Sequence, residues 1–444
     1  MSQITTDAIE QRTIRKITLR LIPFLFLLYI IAYLDRVNIG YAALDMNQDL
    51  GITSEVFGAV AGIFFLGYFL FEVPSNILLN RLGARVWIAR ILVTWGIVVV
   101  LTGFVQSAGY LYVLRFLLGV AEAGFFPGIV LYITFWFPGK ERGRAIALFM
   151  TAIAASQIIG APLSTWLMTN IHWFGLEGWR WMFILEGLPA VLLGIVTYFY
   201  LIDRPEKAKW LTKEEKDWLI QELNKERETR SQSPSHSTKG NLQALKNPKV
   251  WYLAIIYSTL GIGQLAIAFW LPTILKDLSS SLSTIQIGLI AMLPNIAAAV
   301  AMVLWARRSD RTGERYMHAA IPALIGAAGL LMMGFMPNPV LSMVMLTIAM
   351  VGMYCFFGPF WALSSIYLGE AAVIGIAVIN SIGNLGGFLG PYGMGMITER
   401  TGSVQIGILF LGASVLISAI MVLMIRMKER RTTADVNQPP QVKI

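Results

Sequence analysis

The feature that most constrains this chain is a series of long apolar runs, each long enough to cross a lipid bilayer. A spanning helix needs about 20 apolar residues to cross a hydrocarbon core of roughly 30 Å. Twelve such runs follow one another, with centres near residues 30, 66, 97, 120, 156, 191, 261, 294, 328, 353, 384 and 414. Only 14% of the 444 residues are charged, against about 25% in soluble domains. The sequence therefore predicts an all-α membrane protein with twelve transmembrane helices.

The distribution of basic residues predicts the orientation of these helices. Lys and Arg are concentrated in alternate loops and at both ends of the chain, whereas residues 43–55 carry Asp45, Asp49 and Glu55 with no Lys or Arg. Basic loops lie on the cytoplasmic side of a membrane. We therefore expect both termini in the cytoplasm and a multi-pass protein of the cell (inner) membrane. Topology and the lipid bilayer explain the net charge of +9, so no nucleic acid partner is expected.

Cysteine and histidine are too scarce for a metal or disulfide framework. Cys355 is the only cysteine, which excludes an intramolecular disulfide and a Cys-based metal site. The three histidines, His172, His236 and His318, have no metal-ligand spacing. The chain also lacks a nucleotide-binding loop and a recognisable nucleophile–base pair. We therefore expect no metal, no cofactor and no enzymatic activity.

A polar stretch at 203–248 divides the twelve runs into six and six. Within it, Thr212 and Glu215 fit a capping box, and the apolar spacing that follows predicts an amphipathic surface helix over 212–228. The Ser-, Pro- and His-containing remainder is typical of a flexible linker. The predicted organisation is a cytoplasmic segment 1–16, a six-helix half 17–202, a cytoplasmic linker 203–248, a six-helix half 249–426 and a cytoplasmic tail 427–444.

Short internal matches indicate that the two halves are duplicates. The segment "NRLGAR" at 80–85 resembles "DRTGER" at 310–315, and "GAP" at 160–162 corresponds to "GPY" at 390–392. Both pairs are offset by 230 residues, as are the Ile-Ala pairs at 146 and 376. Two parallel six-helix repeats are the architecture of the major facilitator transporters, whose substrate site lies between the halves near the bilayer midplane.

Longer motifs strengthen this resemblance. The residues Arg81, Gly83, Arg85 and, more completely, Asp310, Arg311, Gly313 and Arg315 resemble the cytoplasmic loop signature of the major facilitator superfamily. The segments "YLDRVNIGYA", "GYFLFEVPSN", "RFLLGVAEAGFFPG" and "GWRWMFILEGLPA" resemble the anion:cation symporter family, whose members carry sugar acids, dicarboxylates and aromatic acids. Asn80 stands where the loop signature usually has Asp. The resemblance implies that these loop residues take part in cytoplasmic gating.

Ionisable residues inside spanning helices are candidates for function, because burying a charge in a bilayer is costly. They are confined to the first half: Asp35, Arg36, Glu72, Arg115, Glu122 and Glu186. Neighbours on a helix point about 100° apart, so Asp35 and Arg36 need different partners. We expect Asp35 to join Arg115 or Glu122 in a proton-coupling network and the Arg36 guanidinium to remain free for substrate. A static ion-pair cluster is the alternative, and for Glu72 and Glu186 we favour packing hydrogen bonds toward the membrane faces.

Arg36 is the predicted substrate anchor, because a planar guanidinium binds a carboxylate through two parallel hydrogen bonds. The family motif matches this sequence at Tyr33, Asp35, Arg36, Tyr68, Arg115, Glu122 and Trp361. The predicted substrate-binding residues besides Arg36 are Tyr33, Tyr68, Gln157, Trp361, Ser364, Ser365, Asn380 and Asn384. Asn38 and Gln264 are further polar candidates on these helices. For each neutral residue, an interhelical hydrogen bond is an equal alternative, and Gly383, Gly386, Gly387 and Gly390 are expected to permit close helix packing.

The predicted function is proton-coupled import of a small organic anion, such as a sugar acid or dicarboxylate, by a protein that functions as a monomer. Its expected partners are the anion, protons and the lipid bilayer. Efflux of organic anions or proton-independent exchange on the same fold is the alternative. A membrane enzyme and a non-transporting sensor are alternatives outside the class of transporters. A sensor would bind the anion without moving it across the membrane.

Overall fold

The computed structural model describes residues 2–231, 246–336, 338–369 and 372–436, and within them the chain is helical, without β-strands. Short 3-10 turns occur at Trp173–Gly175 and Pro205–Lys207. The α-helices, in chain order, are α1 Ser2–Asp49, α2 Ser54–Leu82, α3 Ala84–Thr102, α4 Ala108–Glu122, α5 Phe125–Trp136, α6 Gly139–Asn170, α7 Gly178–Tyr200, α8 Lys213–Ser231, α9 Pro248–Leu278, α10 Thr284–Thr312, α11 Tyr316–Met333, α12 Pro339–Leu368, α13 Ala372–Asn384, α14 Gly386–Thr401 and α15 Val404–Val436.

Eleven of the twelve predicted spans are long apolar helices among the described residues. One of them, Ala108–Trp136, is bent between α4 and α5. The run centred near residue 384 is different, because it contains α13 and α14, of 13 and 16 residues, joined at Leu385. Each of these two helices alone is shorter than the roughly 20 residues that cross a bilayer. The all-helical membrane fold is confirmed, and the twelfth run is a helix pair.

Glycines explain how α13 and α14 approach α9. A methyl group added at Gly386 would lie 2.7 Å from the Ser258 carbonyl oxygen, and one at Gly390 would lie 2.3 Å from that of Ile262. At Gly383 it would overlap the Tyr257 ring. Only glycine permits such close backbone contact. The expectation that these glycines serve helix packing is confirmed at these three positions.

The described chain divides into two compact units. The N-terminal unit comprises α1 to α8, together with Phe269–Lys276 of α9 and Ser280–Met292. In it, α1 packs on α6 and α7, α2 packs on α4, and α3 packs on α7. Close packing of α3 on α7 again depends on glycine: an added methyl at Gly96 would lie 2.9 Å from the Gly187 carbonyl oxygen. This unit contains all the ionisable side chains predicted inside the spans.

The C-terminal unit comprises α9 up to Ala268, Asp277–Ser279 and the described chain from Leu293 onward. Its helix α11 packs on α12 and on α15, and α14 packs on α15. Gly326 of α11 faces Gly352 of α12 so closely that a methyl added at Gly352 would lie 2.4 Å from the Gly326 amide nitrogen. Cys355 is buried on α12.

Helix α8 belongs to the N-terminal unit and is held to α1 and α6 near its two ends. The predicted capping box is confirmed: the Thr212 amide donates to Glu215, and the Glu215 amide donates to the Thr212 hydroxyl. Glu215 also accepts from Arg12 at 2.6 Å and from Lys16 at 2.7 Å, both on α1. Further along, Glu226 forms a two-pronged pair with Arg142 of α6 at 2.9 and 3.0 Å. The Ser-, Pro- and His-containing segment lies outside the described residues.

The electrostatics of Glu215 follow from these contacts. Burial by itself would raise the pKa of this carboxyl. Hydrogen bonds from Lys16, the Thr212 amide and Arg12 outweigh burial and lower the pKa to about 2. Glu215 is therefore ionised at every physiological pH, and its bonds to α1 persist across that range.

Candidate functional site

An ion pair between Arg36 and Glu122 lies inside the N-terminal unit. Arg36, in the C-terminal third of α1, donates from Nη2 to Oε1 of Glu122, the last residue of α4. The Glu122 side chain is 1% exposed and that of Arg36 is 17% exposed. The expectation that the Arg36 guanidinium remains free is therefore wrong. Helical spacing fixes the direction of a side chain on its own helix but does not show which neighbouring helix meets it.

Aromatic rings enclose the Arg36 guanidinium. Its carbon Cζ lies 5.2 Å from the ring centre of Phe64, 5.5 Å from that of Tyr68 and 5.6 Å from that of Tyr33. Tyr33 also hydrogen-bonds Gln157 of α6. Arginine can stack on aromatic faces while its N–H groups remain available in the plane of the guanidinium. The structure thus brings four predicted substrate-binding residues together: Tyr33, Arg36, Tyr68 and Gln157.

The position of Glu122 depends on the bend between α4 and α5. Gly124 adopts a left-handed conformation with φ of 84° and precedes the first residue of α5. The Ser75 hydroxyl of α2 donates to the Ala123 carbonyl at 2.5 Å. A methyl group at Gly124 would lie 2.3 Å from that hydroxyl oxygen. A residue with a side chain would therefore be strained here both by its backbone and by Ser75.

Asp35 has a different partner from the one expected. Its Oδ2 accepts a hydrogen bond of 2.8 Å from Nε1 of Trp95 on α3, and the residue is 1% exposed. Its Oδ1 is buried and has no hydrogen-bond partner within the described chain. Among the same residues no cation forms an ion pair with it, so Asp35 joins Arg115 and Glu122 through the electrostatic action of their charges and not through a direct contact. A tryptophan in an apolar run gives no sequence signal that it will bind a carboxylate.

Arg115 is buried beside this cluster without an ion pair to any described carboxylate. Its Nη2 donates to the Arg36 carbonyl oxygen at 3.5 Å, whereas Nε and Nη1 have no partner in the described residues. The guanidinium lies 5.4 Å from the Phe64 ring and 6.0 Å from the Phe269 ring. Charges on Glu122, Arg36 and Asp35 all act on it. Arg115 thus contributes a positive field to the cluster and retains unused donors.

Glu186 of α7 is a buried acid. The sequence predicted that it makes packing hydrogen bonds but not which residues are its partners. It accepts from the Ser164 hydroxyl of α6 at 2.7 Å and from the Asn38 amide of α1 at 3.0 Å. The packing hydrogen bond is confirmed. Its position is less peripheral than expected, because Asn38 follows Asp35 by three residues and the charges of Glu186 and Asp35 act on each other. Glu72 is also buried, at 8% exposure.

In the C-terminal unit, the predicted polar residues occur on α12 and α13. Trp361 packs against Tyr257 with ring centres 4.9 Å apart. Ser364 is fully buried, and its hydroxyl has no hydrogen-bond partner in the described part of the chain. Ser365 is exposed, while Asn380 and Asn384 are partly exposed. Gln264 of α9 donates to the Tyr354 hydroxyl at 3.3 Å.

The two signature loops are built differently. After α10, Arg315 donates to Asp310 at 2.7 Å and to Ser309 at 2.9 Å, and Gly313 has a φ of 67°. Arg311 lies between them and is exposed.

In the last turn of α2, the Asn80 side-chain amide donates to the Asn76 carbonyl of the same helix at 3.0 Å. Gly83 has a φ of 91°, and Asp203 accepts from the Arg85 amide at 2.9 Å. Arg81 is exposed. Asn80 replaces the acid that the loop signature usually has. The carboxylate that accepts from the start of α3 is instead Asp203, in the segment after α7.

Long apolar helices that bury ionisable side chains away from solvent define a multi-pass membrane transport protein. The model of the Major Facilitator Superfamily matches residues 25–391, and the chain belongs to that superfamily. It is therefore a secondary transporter and not an enzyme, and the predicted superfamily membership is confirmed.

Similar proteins cover almost the whole chain. A protein of Agrobacterium vitis, whose name assigns it provisionally to tartrate transport, is 51% identical over 95% of this chain and 93% of its own. A quinolone resistance transporter of Acinetobacter baumannii is 40% identical over 96% and 98%. The inner membrane transport protein RhmT of Escherichia coli is 35% identical over 98% and 99%.

Solved structures support the fold. The xylose transporter XylE of Escherichia coli superposes with a TM-score of 0.71 at 16% identity, over 92% of this chain and 99% of its own. A bacterial homologue of the human lysosomal transporter Spinster gives 0.71 at 17% identity, over 91% and 94%. At this identity the similarity concerns the fold alone.

Proposed function

We propose that this protein imports a small organic anion of the sugar-acid or dicarboxylate class, such as tartrate, together with protons. The observation that carries the proposal is the Arg36–Glu122 ion pair within its enclosure of Tyr33, Phe64 and Tyr68. The relative named for tartrate transport, at 51% identity, supports the substrate class. So does the resemblance to the anion:cation symporter family.

Competition for Arg36 couples anion binding to protonation in this proposal. A substrate carboxylate that takes the Arg36 donors removes the counter-charge of Glu122. Because Glu122 is buried and a buried carboxylate without a cation is costly, it then takes up a proton. When the substrate leaves, Arg36 pairs again with Glu122 and the proton is released. Each substrate bound thus brings one proton with it through this pair.

Other residues have supporting roles in the proposal. Arg115, with two donor nitrogens unpartnered among the described residues, keeps the cluster positive enough to attract an anion. The hydroxyl groups of a sugar acid or tartrate need neutral partners, which we assign to Tyr33, Tyr68 and Gln157. For Trp361, Ser364, Ser365, Asn380 and Asn384 of the C-terminal unit, substrate contact stays a prediction from the sequence. Arg81, Gly83 and Arg85, with Asp310, Arg311, Gly313 and Arg315, are proposed to control cytoplasmic access.

The test is uptake of labelled tartrate, aldonates and aldarates into proteoliposomes containing the purified protein. An inward pH gradient is expected to drive accumulation of at least one of these anions, and a protonophore is expected to abolish it. Glu122→Gln should remove gradient-driven accumulation and preserve exchange. Proton-coupled import would be contradicted if uptake were the same with and without the pH gradient. It would also be contradicted if the Glu122→Gln variant still accumulated substrate.

Drug efflux is a second candidate, because the quinolone resistance transporter is 40% identical over nearly the whole chain. Quinolones also carry a carboxylate that Arg36 could bind. The two candidates differ in direction and in substrate. Export of a fluoroquinolone from loaded vesicles, without uptake of any hydroxy acid, would favour efflux.

A further inference from the structure

We infer that Glu186 and Asp35 together hold a second transportable proton in the N-terminal unit, separate from the Arg36–Glu122 pair. The inference rests on the proposed proton coupling and deepens it. It assigns a role in transport to Glu186, Asn38 and Ser164, which the ion-pair exchange does not use.

The first observation is two buried carboxyl groups without a bound cation. Asp35 is 1% exposed and Glu186 is 5% exposed, and no Lys, Arg or His in the described chain pairs with either. The two groups act on each other electrostatically. Two like charges buried near one another are strongly unfavourable. The pair therefore carries at most one negative charge, and its transportable proton is the one that separates the neutral pair from the singly charged pair.

The second observation concerns the partners of Glu186. Arg36, the partner of Glu122, can only donate hydrogen bonds. It therefore favours the ionised form of Glu122. A serine hydroxyl and an asparagine amide can each donate or accept. Ser164 can thus donate to ionised Glu186 or accept from protonated Glu186. Asn38 Oδ1 has no hydrogen-bond partner in the described chain, so rotating its amide provides an acceptor. This site satisfies Glu186 in both charge states.

Charged and titratable groups on neighbouring described helices act on the pair. From α1, Tyr41 and Asp35 interact electrostatically with Glu186, and from α6 the Ser164 hydroxyl donates to it. From α3, Trp95 bonds Asp35 and leaves Oδ1 available for a proton. From α4, Glu122 and Arg115 act on Asp35 in opposite senses. Loss of the proton from Glu122 disfavours ionisation of Asp35, so the two sites respond to each other.

The test compares Glu186→Gln with unaltered protein in proteoliposomes, using labelled tartrate and an internal pH dye. The number of protons entering per anion is expected to fall by one. With a pH difference of about one unit, the limit of accumulation should then fall about tenfold, since one unit for one proton is a factor of ten. Exchange should stay within about twofold of the unaltered rate. Glu177→Gln, at the exposed N-cap of the same helix, is the control.

A second pair of variants decides the question even if Glu186→Gln fails to fold. Ser164→Ala removes a hydrogen-bond donor to ionised Glu186. Glu186 should then keep its proton to a higher pH, and the decline of uptake on the alkaline side should begin at a higher pH. Ser156→Ala is matched to it, because Ser156 is equally buried on α6 but donates to the Ile153 carbonyl at 2.8 Å. Its profile should not move.

The outcomes separate this inference from the proposed function. If the unaltered protein is driven by protons but Glu186→Gln keeps the same proton ratio, Glu186 only packs the helices and the inference is wrong. Coinciding pH profiles for the two serine variants would overturn it equally. If no gradient drives the unaltered protein, the proposed function itself fails and this inference with it.

Discussion

Arg36 and Glu122 lie 86 residues apart in the chain and form an ion pair that joins α1 to the end of α4. Asp35, the preceding residue, meets Trp95 of α3 instead. These adjacent residues of α1 therefore make separate contacts: Arg36 forms an ion pair, and Asp35 accepts a hydrogen bond from a neutral side chain. This division decides which substitutions should affect substrate binding and which should affect coupling.

The anchor is tested by Arg36→Lys. Lysine keeps the positive charge but loses the planar pair of donors. Substrate affinity should therefore fall at least about tenfold, which corresponds to about 1.4 kcal/mol. Calorimetric titration with the transported anion measures this. Arg144→Lys, an exposed arginine at the start of α6, should leave affinity unchanged, and near-native affinity in Arg36→Lys would exclude Arg36 as the anchor.

Neutralising the acids should separate binding from accumulation. Asp35→Asn and Glu122→Gln imitate protonated carboxyls and cannot release a proton. Both variants should bind the anion with less pH dependence and exchange internal for external substrate. Glu122→Gln should fail to concentrate it, whereas Asp35→Asn should concentrate it less than the unaltered protein does, because the Glu122 proton is still coupled. Counterflow and gradient-driven uptake on the same vesicles provide the measurement. Gradient-driven uptake at the unaltered level in both would mean that the cluster is structural.

Arg115 should matter more for movement than for binding. It contacts the Arg36 carbonyl and has no described carboxylate in ion-pair contact. Its removal changes the field around the cluster and leaves the Arg36 donors in place. In Arg115→Ala we therefore expect the coupled transport rate to fall by a larger factor than affinity. The kcat and Kd measured on one preparation decide this, and an equal or larger loss of affinity would place Arg115 among the substrate contacts.

The bend before α5 should tolerate no side chain at Gly124. Its φ of 84° and the 2.3 Å approach to Ser75 that a methyl would make both oppose substitution. Gly124→Ala should destabilise the protein by about 1–3 kcal/mol, seen as a lower thermal midpoint in detergent. Gly143→Ala is the control, because a methyl there meets nothing within 4 Å. Equal midpoints for the two variants would contradict this account of the bend.

The attachment of α8 should be insensitive to pH in the physiological range. The pKa of Glu215 is lowered to about 2 in the folded protein, so its stabilising contribution is complete above its unfolded value of about 4.3. That contribution is lost progressively as the pH falls below the unfolded value and through about 2. Hydrogen exchange over 212–226, corrected for intrinsic rates, should be equally slow at about pH 5 and pH 7. Glu215→Gln should accelerate it, whereas Glu214→Gln, its exposed neighbour, should not.

The fold was largely predictable because hydropathy is a property of single segments. Eleven spans and the capping box of α8 follow from local sequence. The interruption at Leu385 does not, because it depends on how closely the glycines of α13 and α14 approach α9.

The sequence indicated which residues belong to the candidate site, but not which of them contact one another. The spacing of Asp35 and Arg36 correctly indicated separate partners. Their identities, Trp95 and Glu122, depend on the rotation of α1, α3 and α4 about one another. Glu186 did carry a signal as a fourth acid in the spans of the first half, but its hydrogen bonds to Asn38 and Ser164 require the packed structure.

The two anchors of α8 have a mechanical consequence. Glu215 fixes the helix to α1 and Glu226 fixes it to α6, eleven residues or about 16 Å further along. A stiff rod pinned at two points acts as a brace. It resists any shear that would slide the ends of α1 and α6 past one another, so a force applied to either helix is shared by both. We therefore expect the Lys16 end of α1 and the Arg142 end of α6 to move together.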